Sequence, residues 1–124
     1  MEEIKEPYQE LYDDFIEKYN KVETTPSEVG EVLVRIAGFF SNYNMAMSKA
    51  ERKYAMVSKE EVCSSDPLTG KPISASKAET IANASEEATE FKTARVHVQN
   101  IETLIGSLKF LQKALETEYL SSNI

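Results

Sequence analysis

The stretch Val29–Val57, VGEVLVRIAGFFSNYNMAMSKAERKYAMV, decides the fold. Its apolar residues Val29, Leu33, Ile36, Phe40, Tyr43, Met47, Ala50, Tyr54 and Val57 recur at alternating intervals of four and three, through four unbroken heptads. A straight helix turns every 3.6 residues, so a repeat of 3.5 held this long keeps one narrow stripe turned toward a partner helix. A helix of roughly 35 residues measures about 50 Å at 1.5 Å per residue, more than the diameter of a compact domain of this chain length. The expected shape is elongated. The expected stripe outruns what the rest of a 124-residue chain covers, so self-association or a partner is the natural expectation, and a homo-oligomer is the expected state.

Outward from this stretch the chain reads as helices separated by turn chemistry. Thr25-Pro26-Ser27-Glu28 forms a capping box, with Thr25 as N-cap and proline at the first helical position. Val32, Phe39 and Ala46 flank the stripe and widen its first half. Upstream, Tyr8, Leu11, Tyr12, Phe15, Ile16 and Tyr19 repeat at helical spacing behind Pro7, giving a short amphipathic helix with an aromatic face. Downstream, Ser64 to Pro72 carries two prolines and a glycine, which breaks the helix.

Helix resumes after Ser76, where Ser76 and Glu79 have the spacing of a second capping box. Ser85 followed by Glu86 and Glu87 caps a fresh start, and a long helix from about Glu86 carries Phe91, Ala94, Val98, Ile101, Leu104, Ile105, Leu108, Leu111 and Leu115. Gly106 inside it marks either a close helix approach or chance composition. The expected fold is all-α: one domain over 1–124, with an acidic N-terminal helix (1–24), a long helix (25–62), a loop (63–76) and a C-terminal helical region (77–121). The two long helices form an elongated, coiled-coil-like antiparallel hairpin. Leu33, Ile36, Phe40, Tyr43 and Met47 on one helix, and Val98, Ile101, Ile105 and Leu108 on the other, are its expected packing residues, within the chain or between copies.

Composition bounds the function. At 41% hydrophobic and 28% charged the chain has the make-up of a soluble folded protein, with no stretch approaching the roughly 18 apolar residues of a membrane span. The start, Met-Glu-Glu-Ile-Lys-Glu-Pro, lacks the basic and apolar regions of a secretory signal. Cys63 is alone, which excludes an intrachain disulfide and fits a reducing cytoplasm. Residues 1–31 hold ten acids against three bases and so carry the entire net charge of −7; residues 32–124 balance at eleven and eleven. The acidity is local.

Catalytic chemistry is poorly supplied. His97 is the sole histidine, flanked by Val96 and Val98, and no nucleophile or carboxylate stands at helical spacing from it; a seam or surface histidine is the simpler reading. Cys63 likewise lacks a neighbouring base. Glu86, Glu87 and Glu90 lack the Glu-x-x-His pairs of a bundle metal site and suit a first helical turn. Thr69-Gly70-Lys71 lacks the upstream glycine and following hydroxyl of a phosphate loop and reads as a turn. The expectation is a protein that is not an enzyme and holds no metal or cofactor.

The basic segments are a stronger lead. Residues 49–59 contain Lys49, Arg52, Lys53 and Lys59 against Glu51, and residues 91–115 contain Lys92, Arg95, Lys109 and Lys113 against Glu102. If the hairpin closes at its loop, Lys49, Arg52, Lys53, Lys92 and Arg95 form a band able to follow a phosphate backbone, with Tyr54 and Phe91 nearby. The alternative is that they are solvated coiled-coil positions interleaved with acids. The acidic arm either docks on that band, in the same chain or a neighbour, or is a solubilising helix; its aromatic face favours docking.

In size and pattern the chain resembles the UvsY-type recombination mediators of tailed phages. The likeness rests on the central helix turning basic through Ala50-Glu51-Arg52-Lys53-Tyr54-Ala55, the short glycine-containing loop, and the serine-rich helix start with Lys77-Ala78-Glu79. It extends to the amphipathic stretch Ile101-Glu102-Thr103-Leu104-Ile105-Gly106-Ser107-Leu108-Lys109, so covering about residues 26–120. The resemblance implies a ring-like homo-oligomer in the host cytoplasm that binds single-stranded DNA and helps load a recombinase onto DNA coated with single-strand-binding protein. The acidic N-terminal helix departs from that pattern and leaves room for a second role, a protein–protein scaffold or adaptor without nucleic-acid contact.

Overall fold

The computed structural model describes residues 5–21 and 23–122. It is all-α, with α1 over Pro7–Lys21, α2 over Pro26–Val62, α3 over Ala75–Asn83 and α4 over Glu86–Ser122. The long helices α2 and α4 pack together as a helical hairpin. Residues 1–4 of the expected acidic helix lie outside the described residues. The packing divides into two compact units, one of Met1–Asn42 with Gln99–Ile124, the other of Tyr43–Val98.

The 4-3 stripe on α2 is the seam of this hairpin. Val29, Ile36 and Ala50 are buried, and Leu33, Phe40, Tyr43, Met47, Tyr54 and Val57 are partly covered. On α4, Val98, Ile101, Leu108 and Leu115 are buried, with Phe91, Ala94, Leu104, Ile105 and Leu111 partly covered. Of the flanking residues Val32 and Phe39 are partly covered, whereas Ala46 is exposed, so the stripe does not widen that far.

In the first unit α1 lays Tyr8 and Phe15, 2% and 7% exposed, onto residues 26–42 of α2 and 99–122 of α4. The Tyr8 hydroxyl accepts a hydrogen bond from Asn100 Nδ2 at 3.4 Å. Large side chains make this core: Tyr8, Ile36, Ile101 and Leu108 are each almost fully enclosed, and burying one such side chain contributes about 1.5–3 kcal/mol. Gln112 of α4 crosses α2 and donates to the Pro26 carbonyl at 3.2 Å. A Cβ on Gly30 would stand 2.9 Å from that amide nitrogen, so Gly30 makes room for the crossing.

The second unit is built on small residues. Ala50, Ala78, Ala82 and Ala88 are buried together with Val98, which lets α3 approach closely but removes little apolar surface from water. Aromatic contacts between α2 and α4 fix an antiparallel register here. Tyr43 meets His97 with ring centroids 5.5 Å apart, and Tyr54 stacks on Phe91 at 6.0 Å with planes inclined by 6°.

Helix boundaries follow from caps. The Thr25 hydroxyl accepts from the Glu28 amide at 3.2 Å and donates to the Glu28 carboxylate at 3.3 Å, starting α2 at Pro26. Ser85 accepts from the Ala88 amide at 3.2 Å and starts α4. The Ser76–Glu79 box is not formed. Ser74 is the N-cap of α3 and accepts from the Lys77 amide at 3.2 Å, while the Ser76 carbonyl, inside the helix, takes the Thr80 hydroxyl. The reason lies in the loop. The bridge of Ser65 with Pro72 and the Ile73 amide bond to the Ser64 carbonyl close the chain on itself two residues earlier than expected. Asp66 organises that loop through its carbonyl on the Gly70 amide and its carboxylate on the Leu68 amide and the Lys77 ammonium. Gly70 has φ +70°, which glycine adopts without strain.

Gly106 makes no close approach, because a Cβ there, as at Gly38, would meet nothing within 4 Å. Both sit exposed inside long helices. Gly38→Ala and Gly106→Ala are each expected to raise stability by about 0.5–1 kcal/mol, read from urea midpoints. A fall would place these glycines against something.

The Leu68 amide and then the Lys77 ammonium hold the Asp66 carboxyl below its ordinary value of 3.8. A depressed folded pKa stabilises the loop above 3.8, and the effect is lost as pH falls through the folded value. The Leu68 amide proton is therefore expected to titrate with a midpoint below 3.8, and a midpoint at or above it would contradict the turn.

Candidate nucleic-acid interface

Lys49, Arg52, Lys53, Lys92 and Arg95 all lie in the second unit and are all exposed. Three fall within little more than one turn of α2 and two are one turn apart on α4. Among the described residues none of the five makes an ion pair. Four other bases are paired. Lys5 pairs with Asp13 at 2.9 Å, Lys18 with Glu28 at 3.4 Å, Lys21 with Glu17 at 2.9 Å and Lys77 with Asp66 at 3.1 Å. The Asp13 carboxylate, by hydrogen bond and by charge, raises the Lys5 ammonium above its ordinary value, and Lys5 in turn lowers Asp13.

The five have no counter-charge at facing positions on their own helices. On a helix, side chains three and four residues apart meet, whereas those one or two apart do not. The neighbours of Lys49 at those distances are Met45, Ala46, Arg52 and Lys53; those of Arg52 are Ser48, Lys49, Ala55 and Met56. Lys53 has Lys49, Ala50, Met56 and Val57, Lys92 has Ala88, Thr89, Arg95 and Val96, and Arg95 has Phe91, Lys92, Val98 and Gln99. No carboxylate stands at any of these positions, and three pairs set cation against cation. Glu51 is adjacent to Arg52 in sequence but faces elsewhere. Counting charge by segment hides this pattern; counting it by helix face reveals it.

The unit-level balance repeats the contrast. The first unit holds thirteen acids and six bases, the second eight and eight, so the second unit as a whole is neutral while these faces of it are cationic. In the first unit α1 turns its aromatic face inward, and Glu10, Asp14 and Glu17 remain exposed.

Tyr54 and Phe91 already have partners. Phe91 stacks on Tyr54 and carries the Arg95 guanidinium 5.5 Å from its centroid, and the Tyr54 hydroxyl donates to Asn83 Oδ1. The rings are inter-helix packing that also holds Arg95 in place, a cation–π arrangement. His97 is partly buried against Tyr43, beside a shallow groove of about 330 Å³ lined by Ala46, Thr89, Glu90, Thr93 and Ala94. Cys63 is exposed just past the end of α2, its amide on the Lys59 carbonyl. Among the described residues no group of three or more histidine, cysteine or carboxylate side chains could hold a metal ion, and no helix is long and apolar enough to cross a membrane.

Compared with protein families, with characterised proteins and with solved structures, the chain matches none.

Like charges at helical neighbour positions repel by a few tenths of a kcal/mol each. The triple change Lys49→Gln, Arg52→Gln and Lys53→Gln is therefore expected to raise folding stability by about 0.5–1 kcal/mol in low salt, measured by urea denaturation. Lower stability would reveal a counter-charge on this face.

Proposed function

We propose that this protein is an oligomeric accessory factor of phage-type DNA recombination or replication, a recombination-mediator-like protein of the host cytoplasm that binds single-stranded DNA and assists recombinase loading. The observation that carries the reading is the set of five exposed cations with no carboxylate at a facing helical position. Cations set at neighbouring helical positions cost a little folding stability, which an external anion would offset. A phosphate backbone supplies anions at regular spacing and asks for no base-specific pocket. The loading role comes from the family resemblance, and self-association from that resemblance and from the length of the α2 stripe.

Exposed Met45, Met56 and Val96 favour a second reading, an interaction scaffold without nucleic-acid contact, because apolar side chains on outer helix faces serve protein docking and not phosphates.

Anisotropy of a fluorescein-labelled thymidine oligomer separates the two. Five phosphate contacts predict a log–log salt slope near −3.5 for a single strand, about a hundredfold loss between about 50 and 200 mM salt. Lys49→Gln with Lys92→Gln should reduce the slope by about 1.4. No binding at the lower salt would remove the DNA reading and leave the scaffold.

A further inference from the structure

Within the second unit a further stripe runs along α2. Met45, Lys49, Arg52, Met56 and Lys59 follow at intervals of four, three, four and three, and all five are exposed. The interval is that of the buried seam, displaced to the outward side of the same helix. One exposed methionine is ordinary. Two, 59% and 63% exposed, stand on one stripe with cations between them. Lys59, like Lys49 and Arg52, has no carboxylate three or four residues away; its neighbours there are Ala55, Met56, Val62 and Cys63.

The components select a partner. A 4-3 interval accepts the side chains of a second helix. Methionine, unbranched and polarisable, adapts to such contacts. Three cations on the stripe repel a second copy of the same face and attract carboxylates flanking the partner's apolar residues. A phosphate backbone would use the cations and leave both methionines in water. We propose that the Met45–Lys59 face of α2 docks an acidic amphipathic helix of a partner protein, its apolar residues on Met45 and Met56 and its carboxylates on Lys49, Arg52 and Lys59. Lys49 and Arg52 are shared with the proposed DNA surface, so the two ligands compete for them, and it is the methionines that set helix docking apart from DNA binding.

The probe is a fluorescein-labelled peptide of about 21 residues with leucine at a and d and glutamate at e and g, beside a scrambled peptide of the same composition. The full-length protein is expected to bind the heptad peptide at least about tenfold more tightly than the scrambled one. Met45→Ser with Met56→Ser, at positions outside the core, should weaken peptide binding about tenfold and leave affinity for a thymidine oligomer within about twofold. An unchanged thermal midpoint confirms that the variant is folded. Absence of peptide binding, equal binding of the scrambled peptide, or indifference to the methionine changes overturns the proposal. Sedimentation of the protein alone as an oligomer that the same double change dissociates would give this face to a second copy and also overturn it. Peptide binding without DNA binding sustains the inference while removing the DNA reading.

Discussion

Two long helices that each carry a 4-3 apolar stripe must cover those stripes, and every other feature of this protein is arranged around how they do so. Val29, Ile36 and Ala50 of α2 and Val98, Ile101, Leu108 and Leu115 of α4 disappear from solvent along the seam. The two units finish the task with different materials. In the first, α1 adds aromatic side chains over large aliphatic ones, and Gly30 lets Gln112 tie α4 to the start of α2. In the second, buried alanines admit α3 closely, and the Tyr54–Phe91 and Tyr43–His97 pairs supply the ring contacts between α2 and α4. A core of alanines gains less from burial, so aromatic contacts carry more of the register there.

Once the stripes face each other, the remaining helix surface is free to carry charge. In the first unit three of the six bases pair with acids, among them Lys18 with Glu28 and Lys21 with Glu17. In the second unit cations are placed next to cations, and Arg95 is steadied by the Phe91 ring instead of a carboxylate. Surface ion pairs contribute little to stability, so the contrast matters less for folding than for what each surface meets in solution. A face that leaves its charges uncompensated is predisposed to an anionic partner.

The seam and most helix starts were legible because they depend on local spacing: the heptads of α2, the Thr25 cap and the Ser85 cap all appear as the pattern predicts. Ser74 displaced Ser76 because the cap position is set by where the Ser64–Ile73 closure releases the chain, which is a loop contact and not a local motif. Gly106 stands in open space while Gly30 makes the close contact, and a glycine in sequence carries no mark of what faces it. Ala46 is exposed beside the groove at Tyr43 and His97, which the spacing of apolar residues did not mark. At the candidate interface the exposure of the five cations was foreseeable; their lack of counter-charges was legible too, but only when neighbours three and four residues away are read together. The pairing of Tyr54 with Phe91 required the hairpin register.

That register is the claim on which the whole account stands, and NMR tests it most directly. Nuclear Overhauser cross-peaks are expected between the rings of Tyr54 and Phe91 and between those of Tyr43 and His97, with centroid separations of 6.0 and 5.5 Å. In a mixture of isotope-labelled and unlabelled chains, a filtered experiment that detects only intermolecular contacts should lose both sets. Missing cross-peaks in the first experiment, or their persistence between chains in the second, would contradict a hairpin that closes on itself.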